Sequence, residues 1–200
     1  MSQPAADPAV PSGALIHRLT VQQYRAMALA GILTSDDQVE LLEGWLVEKM
    51  TKNPPHRIAT RRARLALEGV VPPGWYVDTQ EPIVTADSEP EPDAAVIRGR
   101  TEDYADSHPA AEHVGLVVEV ADATLLRDRH LKARVYARAR IPRYVIVNRF
   151  DRCVEAYSEP SRGTEPPRYE RVETLRAGQT MAVILDGTEV GRIRIDDLLP

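Results

Sequence analysis

Three residues of this chain have types and placements that could do chemistry together. Asp93 follows Pro92 and immediately precedes the apolar run Ala94-Ala95-Val96-Ile97, so it stands at the mouth of a strand. Glu119 interrupts the most apolar run of the chain, 114–120. A carboxylate in a buried strand is unfavourable unless a cation answers it. Two answers are open: a buried arginine, or a hard cation such as Mg2+, commonly held by one or two carboxylates with water and phosphate completing its shell. Lys132 is the third residue. The chain has 22 arginines and only three lysines, Lys49, Lys52 and Lys132, so a lysine inside an arginine-rich segment breaks the local habit. Lysine is a compact charge whose pKa desolvation can lower, which suits a group that orients or deprotonates an attacking water. The plainer reading is a surface lysine facing Asp128 at i, i+4.

Other chemistries lack their residues. There is no GxGxxG, GxxxxGK or GxSxG run, which removes support for nucleotide-binding and esterase readings. The histidines, His17, His56, His108, His113 and His130, never fall at i, i+4, so a helical zinc site is absent from the pattern. Cys153, the single cysteine, has no partner for an internal disulfide and supplies no thiolate zinc site.

The elements that must position Asp93, Glu119 and Lys132 read as an α/β chain. Thr20 caps a first helix with Gln23 at the capping-box position, and Gly31 supplies a left-handed stop. Residues 39–48 alternate about Glu43-Gly44 as a hairpin. Pro54-Pro55 opens a second helix over 56–68, closed by Gly69, with Ile58, Leu65 and Leu67 as its sparse apolar positions. Short strands are expected at 75–79, 83–85, 94–97 and 114–121, the last central in a sheet. A helix over 125–140, with Leu131, Val135 and Ala139 on one side, ends at Pro142. A buried strand follows at 144–147, which makes a strand–helix–strand crossover unit. Runs at 154–157, 169–175, 181–185 and 192–195 read as a β-meander.

The ordered set Glu40-Leu-Leu-Glu-Gly44, His56, Pro92-Asp93-Ala-Ala-Val, Val117-Val-Glu119-Val-Ala-Asp122, Asp128-Arg-His-Leu-Lys132-Ala-Arg-Val-Tyr136-Ala and Ile141-Pro-Arg-Tyr144-Val-Ile-Val-Asn148 resembles a bacterial family. It is the family described as putative restriction endonucleases, once catalogued as a domain of unknown function, in the PD-(D/E)XK nuclease superfamily. The resemblance covers about residues 19–185 and implies a restriction-endonuclease-like core: a mixed central β-sheet flanked by helices, with additional hairpins. It makes Asp93 the motif aspartate and Glu119 the motif acid. In the superfamily a lysine stands two residues after the acid, where this chain has Ala121; the family's lysine lies on the following helix, at Lys132. The resemblance further implies Mg2+, with Mn2+ as substitute, held by Asp93, Glu119 and the carbonyl of Val120. Glu40 matches a family glutamate that binds metal directly or through water, with an exposed hairpin glutamate as the alternative. His56 matches a histidine near the site that contacts phosphate, with a surface residue at a helix start as the alternative. Asp122 is a weaker candidate, and Tyr136 is expected to pack against the stem of Lys132. Two departures fall on packing positions: Arg140 replaces a glycine before Ile141-Pro142, and Val145 stands where tryptophan is common.

The two hundred residues are 43% hydrophobic and 28% charged, enough for one domain with a real core. We expect a disordered leader over 1–18 and a single domain over 19–200. The longest apolar run, 26–33, is about eight residues against the roughly 20 of a membrane span, and the first residues do not resemble a signal peptide. No membrane association and a cytoplasmic location are therefore expected.

Net charge is −5, which argues against coating nucleic acid by bulk charge. The charge is polarised: seven cations and one acid lie in 127–143, and six acids with no cation in 78–93. The basic stretches, with Arg57, Arg61 and Arg129 among them, are expected to contact the DNA backbone without reading sequence. Two copies of the 127–143 helix would assemble a basic groove, hence an expected homodimer. The first hypothesis is a Mg2+-dependent DNA endonuclease. The alternative is a non-catalytic nucleic-acid-binding or interaction module that keeps the nuclease fold.

Overall fold

The computed structural model describes residues 17–49 and 53–199. Most of the leader expected over 1–18 lies outside the described residues. Helix α1, Val21–Leu29, carries the capping box at Thr20 and Gln23, and Gly31 takes the left-handed conformation at φ +69°. Strands β1, Val39–Leu42, and β2, Trp45–Glu48, form the hairpin. Gly44 at its turn has φ +80°, and a Cβ there would meet Arg18. The Arg18 guanidinium donates to the carbonyl of Glu43 at 3.3 Å and the Leu19 amide to that of Gly44 at 2.9 Å.

Helix α2, Pro54–Glu68, begins at a proline, whose missing N–H is harmless in the first turn. Asn53 caps it by accepting from the His56 amide at 2.9 Å. Its buried face is Ala59, Thr60, Ala63 and Leu67, while Ile58 and Leu65 are exposed. Of the sparse apolar positions Ile58, Leu65 and Leu67, only Leu67 packs inward beside the small alanines that face the sheet, and Ile58 and Leu65 point to solvent. Gly69 closes the helix in the right-handed region, at φ −71°.

A six-stranded sheet follows, in the order β3–β4–β5–β6–β7–β8. Its strands are β3 Trp75–Asp78, β4 Ala94–Arg98, β5 Val114–Ala121, β6 Arg143–Asn148, β7 Cys153–Pro160 and β8 Tyr169–Arg176. Only β5 and β6 run parallel; every other pairing is antiparallel. The parallel pair is joined by a helical segment, as a crossover requires. That segment is α3, Leu125–Arg127, a π-helical turn Asp128–Lys132, and α4, Ala133–Arg138. It ends in a Schellman closure: the Ile141 amide bonds the Tyr136 carbonyl, the Arg140 amide bonds that of Ala137, and Arg140 takes φ +59°. The glycine expected at this position has a physical reason, because a left-handed residue favours glycine.

Two further expectations fail. Residues 83–85 form no strand; Val84 makes one isolated bridge to Ala110, and the prolines of 82–92 remove the donors a ladder needs. The meander also splits. Strands β7 and β8 extend the main sheet, whereas β9, Thr180–Leu185, and β10, Thr188–Arg194, form a separate hairpin, and Ile195 starts α5, Ile195–Leu198.

All eight residues of β5 are buried, so alternation sends them into two cores. Leu116, Val118 and Val120 join Ala59, Ala63, Leu67 and β9 on one side. Val117 and Ala121 join Tyr136, Tyr144 and α4 on the other. Glu119 shares the parity of Val117 and Ala121, so it faces the crossover helix.

Candidate active site

The register Ala94↔Val118 and Ala95↔Val117 carries Asp93 to the position opposite Glu119, one rung beyond the ladder. Asp93 is anchored by the backbone of the neighbouring strand: its Oδ2 accepts from the Val120 amide at 2.8 Å. From α2, His56 Nε2 lies 3.2 Å from the same oxygen, and Thr60 Oγ1 stands 3.5 Å from Oδ1. His56 and Thr60 are one helical turn apart, which places both on one edge of α2.

Lys132 reaches Glu119 from the crossover helix. Its Nζ donates to Glu119 Oε1 at 2.8 Å and lies 3.2 Å from Glu40 Oε1. The hydroxyl of Tyr136 donates to the same Glu119 oxygen at 2.7 Å, which leaves Oε2 without a hydrogen bond among the described residues. Glu40, expected as an exposed hairpin residue on the plainer reading, is buried, and its Oε2 accepts from the Glu91 amide at 3.1 Å. The surface reading of Lys132 fails likewise, since Lys132 and Asp128 are both buried. The π turn that carries them is a feature often found at functional positions.

Burial, reinforced by Asp93, Asp128 and Glu40, pushes the Glu119 carboxyl up to about 8 against the pull of Lys132. Burial alone would lower the Lys132 pKa, but Glu119, Glu40 and Asp128 together raise it. Lys132 therefore stays an ammonium, which fits the presentation of charge and not the deprotonation of water.

These side chains open into a cleft of about 100 Å³, room for a few waters or a hydrated ion. Six carboxylates line it, Glu40, Glu91, Asp93, Glu119, Asp122 and Asp128, against the fixed cations Lys49, Arg127 and Lys132. No group of three or more His, Cys, Asp or Glu side chains among the described residues forms a metal cage. An all-oxygen donor set with surplus negative charge and two facing carboxylates nonetheless fits a hard ion such as Mg2+, which keeps most of its water.

Of the residues expected to matter, Asp93, Glu119, Val120, Lys132, Glu40 and His56 all meet at this cleft. Asp122 sits at its rim, bonded to Asn53 and Arg149. Arg57 and Arg61 lie on the outer side of α2 beside it, exposed and without an ion pair among the described residues. Arg129 does not join them: Glu155 holds its guanidinium at 2.6 Å. Arg134 and Arg138 are held by Glu43. With Lys132 buried as well, four of the seven cations in 127–143 are withdrawn from the basic groove that the homodimer expectation invokes. Sequence reasoning missed Thr60, readable from its i, i+4 spacing to His56. It also missed the bond of Tyr136 to Glu119, for which the i, i+4 spacing to Lys132 suggested only packing.

A solved structure similar to this one is a putative nuclease belonging to DUF820 from Anabaena variabilis ATCC 29413, with TM-score 0.67 and 13% identity, covering 90% of this chain and 97% of that one. At that identity the likeness shows the fold. NucC of E. coli MS115-1 in its apo form aligns over 60% of this chain and 54% of its own, at 15% identity and TM-score 0.29, too low to carry an argument. No curated protein matches the chain. The model of the Uma2 family, described as "Putative restriction endonuclease", matches residues 21–190. That span holds every side chain of the cleft and all six strands of the main sheet, and the chain belongs to the Uma2 family.

Proposed function

We propose that this protein is a divalent-metal-dependent endonuclease that hydrolyses DNA phosphodiester bonds at the Asp93–Glu119 cleft. The observation that carries the reading is the placement of Asp93 opposite Glu119 on adjacent strands, with the Lys132 ammonium bonded to Glu119. Family membership supports the nuclease class, and the donor chemistry supports the ion.

Asp93, Glu119 and the Val120 carbonyl would hold Mg2+ or Mn2+. Such an ion supplies Lewis acidity, acidifying a bound water and offsetting charge on the phosphate. Hydrolysis joins a water oxygen to phosphorus, breaks a P–O ester bond and delivers a proton to the leaving oxygen. Lys132, fixed by Glu119 and Glu40, presents positive charge toward the crowded phosphate, an electrostatic contribution of about 3 kcal/mol in comparable sites. The Val120 amide and His56 orient Asp93. Arg57 and Arg61 grip the flanking phosphates and position the strand without reading bases.

Nicking of supercoiled plasmid in Mg2+ or Mn2+, run beside Asp93→Ala and Lys132→Ala with circular dichroism as the folding check, tests the reading. Cleavage that both substitutions abolish in folded protein is expected. Cleavage surviving both would place the activity elsewhere. DNA binding that persists in EDTA, without cleavage in either metal, would replace the reading with a binding module.

A further inference from the structure

The other end of the sheet carries a second and larger concavity. Its volume is about 570 Å³, in the size range of small-molecule sites. Its floor is the start of β5, Val114 and Gly115. Gly115 and the cleft residue Val120 are five residues apart on one strand, roughly 17 Å at 3.3 Å per residue. The groove is therefore separate from the cleft already described.

Four arginines line it: Arg98, Arg140, Arg143 and Arg162. Arg98 is committed, since it pairs with Asp186 and lies over the Trp75 ring at 4.4 Å. Arg140, Arg143 and Arg162 make no ion pair or side-chain hydrogen bond among the described residues. Of the three acids on the wall, Asp186 is answered by Arg98. Glu112 and Glu159 are left to oppose Arg140, Arg143 and Arg162, so the wall carries one positive charge in surplus. At Arg143, burial and the charge of Arg171 lower the pKa while Glu159 raises it.

Arg140 holds its φ of +59° because it closes the crossover helix. Gly115 has its own reason: a Cβ there would come within 2.8 Å of the Trp75 ring, so glycine lets the indole lie against the floor.

We infer that this groove binds a phosphorylated ligand of nucleotide size, its phosphate on Arg140, Arg143 and Arg162 and a planar group against the Trp75–Arg98 wall. The chemistry required is a phosphate dianion. Free phosphate and a nucleoside monophosphate are its two sources.

Isothermal titration of the full chain with adenosine 5′-monophosphate and with inorganic phosphate, in EDTA to keep metal from the cleft, tests the assignment. Wild type and Asp93→Ala are expected to bind alike. Arg143→Gln and Arg140→Gly are each expected to weaken binding about tenfold, the scale of one charged hydrogen bond. Arg140→Gly relieves backbone strain, and circular dichroism of each variant checks that a loss of binding is not unfolding. Tighter binding of the nucleotide than of phosphate is expected from the Trp75 wall; equal affinities would overturn the placement of a planar group there. Absence of binding by either probe at millimolar concentration overturns the inference, as does binding that the arginine variants retain or that Asp93→Ala removes.

Discussion

The hydroxyl of Tyr136 donates to Oε1 of Glu119 at 2.7 Å, the oxygen that also accepts from Lys132. Both donors crowd one oxygen, and the other has no hydrogen bond among the described residues. Tyr136→Phe keeps the ring packing and removes one charged hydrogen bond, so a stability loss of about 1–3 kcal/mol is expected in urea unfolding. Mn2+ affinity is expected to fall as Glu119 gains rotational freedom. Unchanged stability and unchanged Mn2+ binding would show that the ring packing alone matters.

Lys132 is the ammonium that joins Glu119 to Glu40 within the buried cluster. Lys132→Met leaves those carboxylates unpaired, and breaking a buried pair costs about 3–5 kcal/mol. Mg2+ is expected to recover more stability in the variant than in wild type, because the ion takes over neutralisation. Denaturation curves with and without Mg2+ measure this, and equal Mg2+ effects on both proteins would count against a cation site at Glu119.

Glu155 ties β7 to the crossover helix. Burial would raise its pKa, but hydrogen bonds from Arg129, Asn148 and Tyr157 outweigh that and hold it below the usual 4.5. A depressed folded value contributes stability above the unfolded pKa that is lost as pH falls through the folded one. Wild type should therefore exceed Glu155→Gln in thermal stability at neutral pH, and the gap should close below pH 4.5. A gap that stays constant into acid would deny the pairing its electrostatic character.

Arg140 closes the crossover helix at φ +59°. Arg140→Gly is expected to stabilise the protein by about 0.5–1 kcal/mol, the usual margin of glycine in a left-handed position net of its greater unfolded freedom. Chemical denaturation reads this directly, and a destabilised variant would mean that the arginine side chain makes a stabilising contribution larger than its strain.

Much of the site was legible because its residues break local patterns. Glu119 inside an eight-residue apolar strand and Lys132 among arginines are anomalies that short-range reading detects. Capping at Thr20, the stop at Gly31 and the crossover from β5 to β6 were legible for the same reason, since their physics lies within a few residues. The faces of α2 were not: Ala59, Ala63 and Leu67 are buried and Ile58 and Leu65 exposed, a choice made by the sheet they pack on. The fate of the arginines was equally hidden. Arg129, Arg134 and Arg138 find Glu155 and Glu43 across the fold, so a segment basic in sequence is largely neutralised in space. The sequence by itself determined which residue types stand on which strand or helix, because alternation and capping are local. Only the tertiary structure decided that Asp93 faces Glu119, that Lys132 and Tyr136 share one oxygen of Glu119, and that Arg140, Arg143 and Arg162 make no ion pair among the described residues at the far end of the sheet. Those relationships depend on strand register and on a helix crossing over the sheet, and both are set by burying two cores at once.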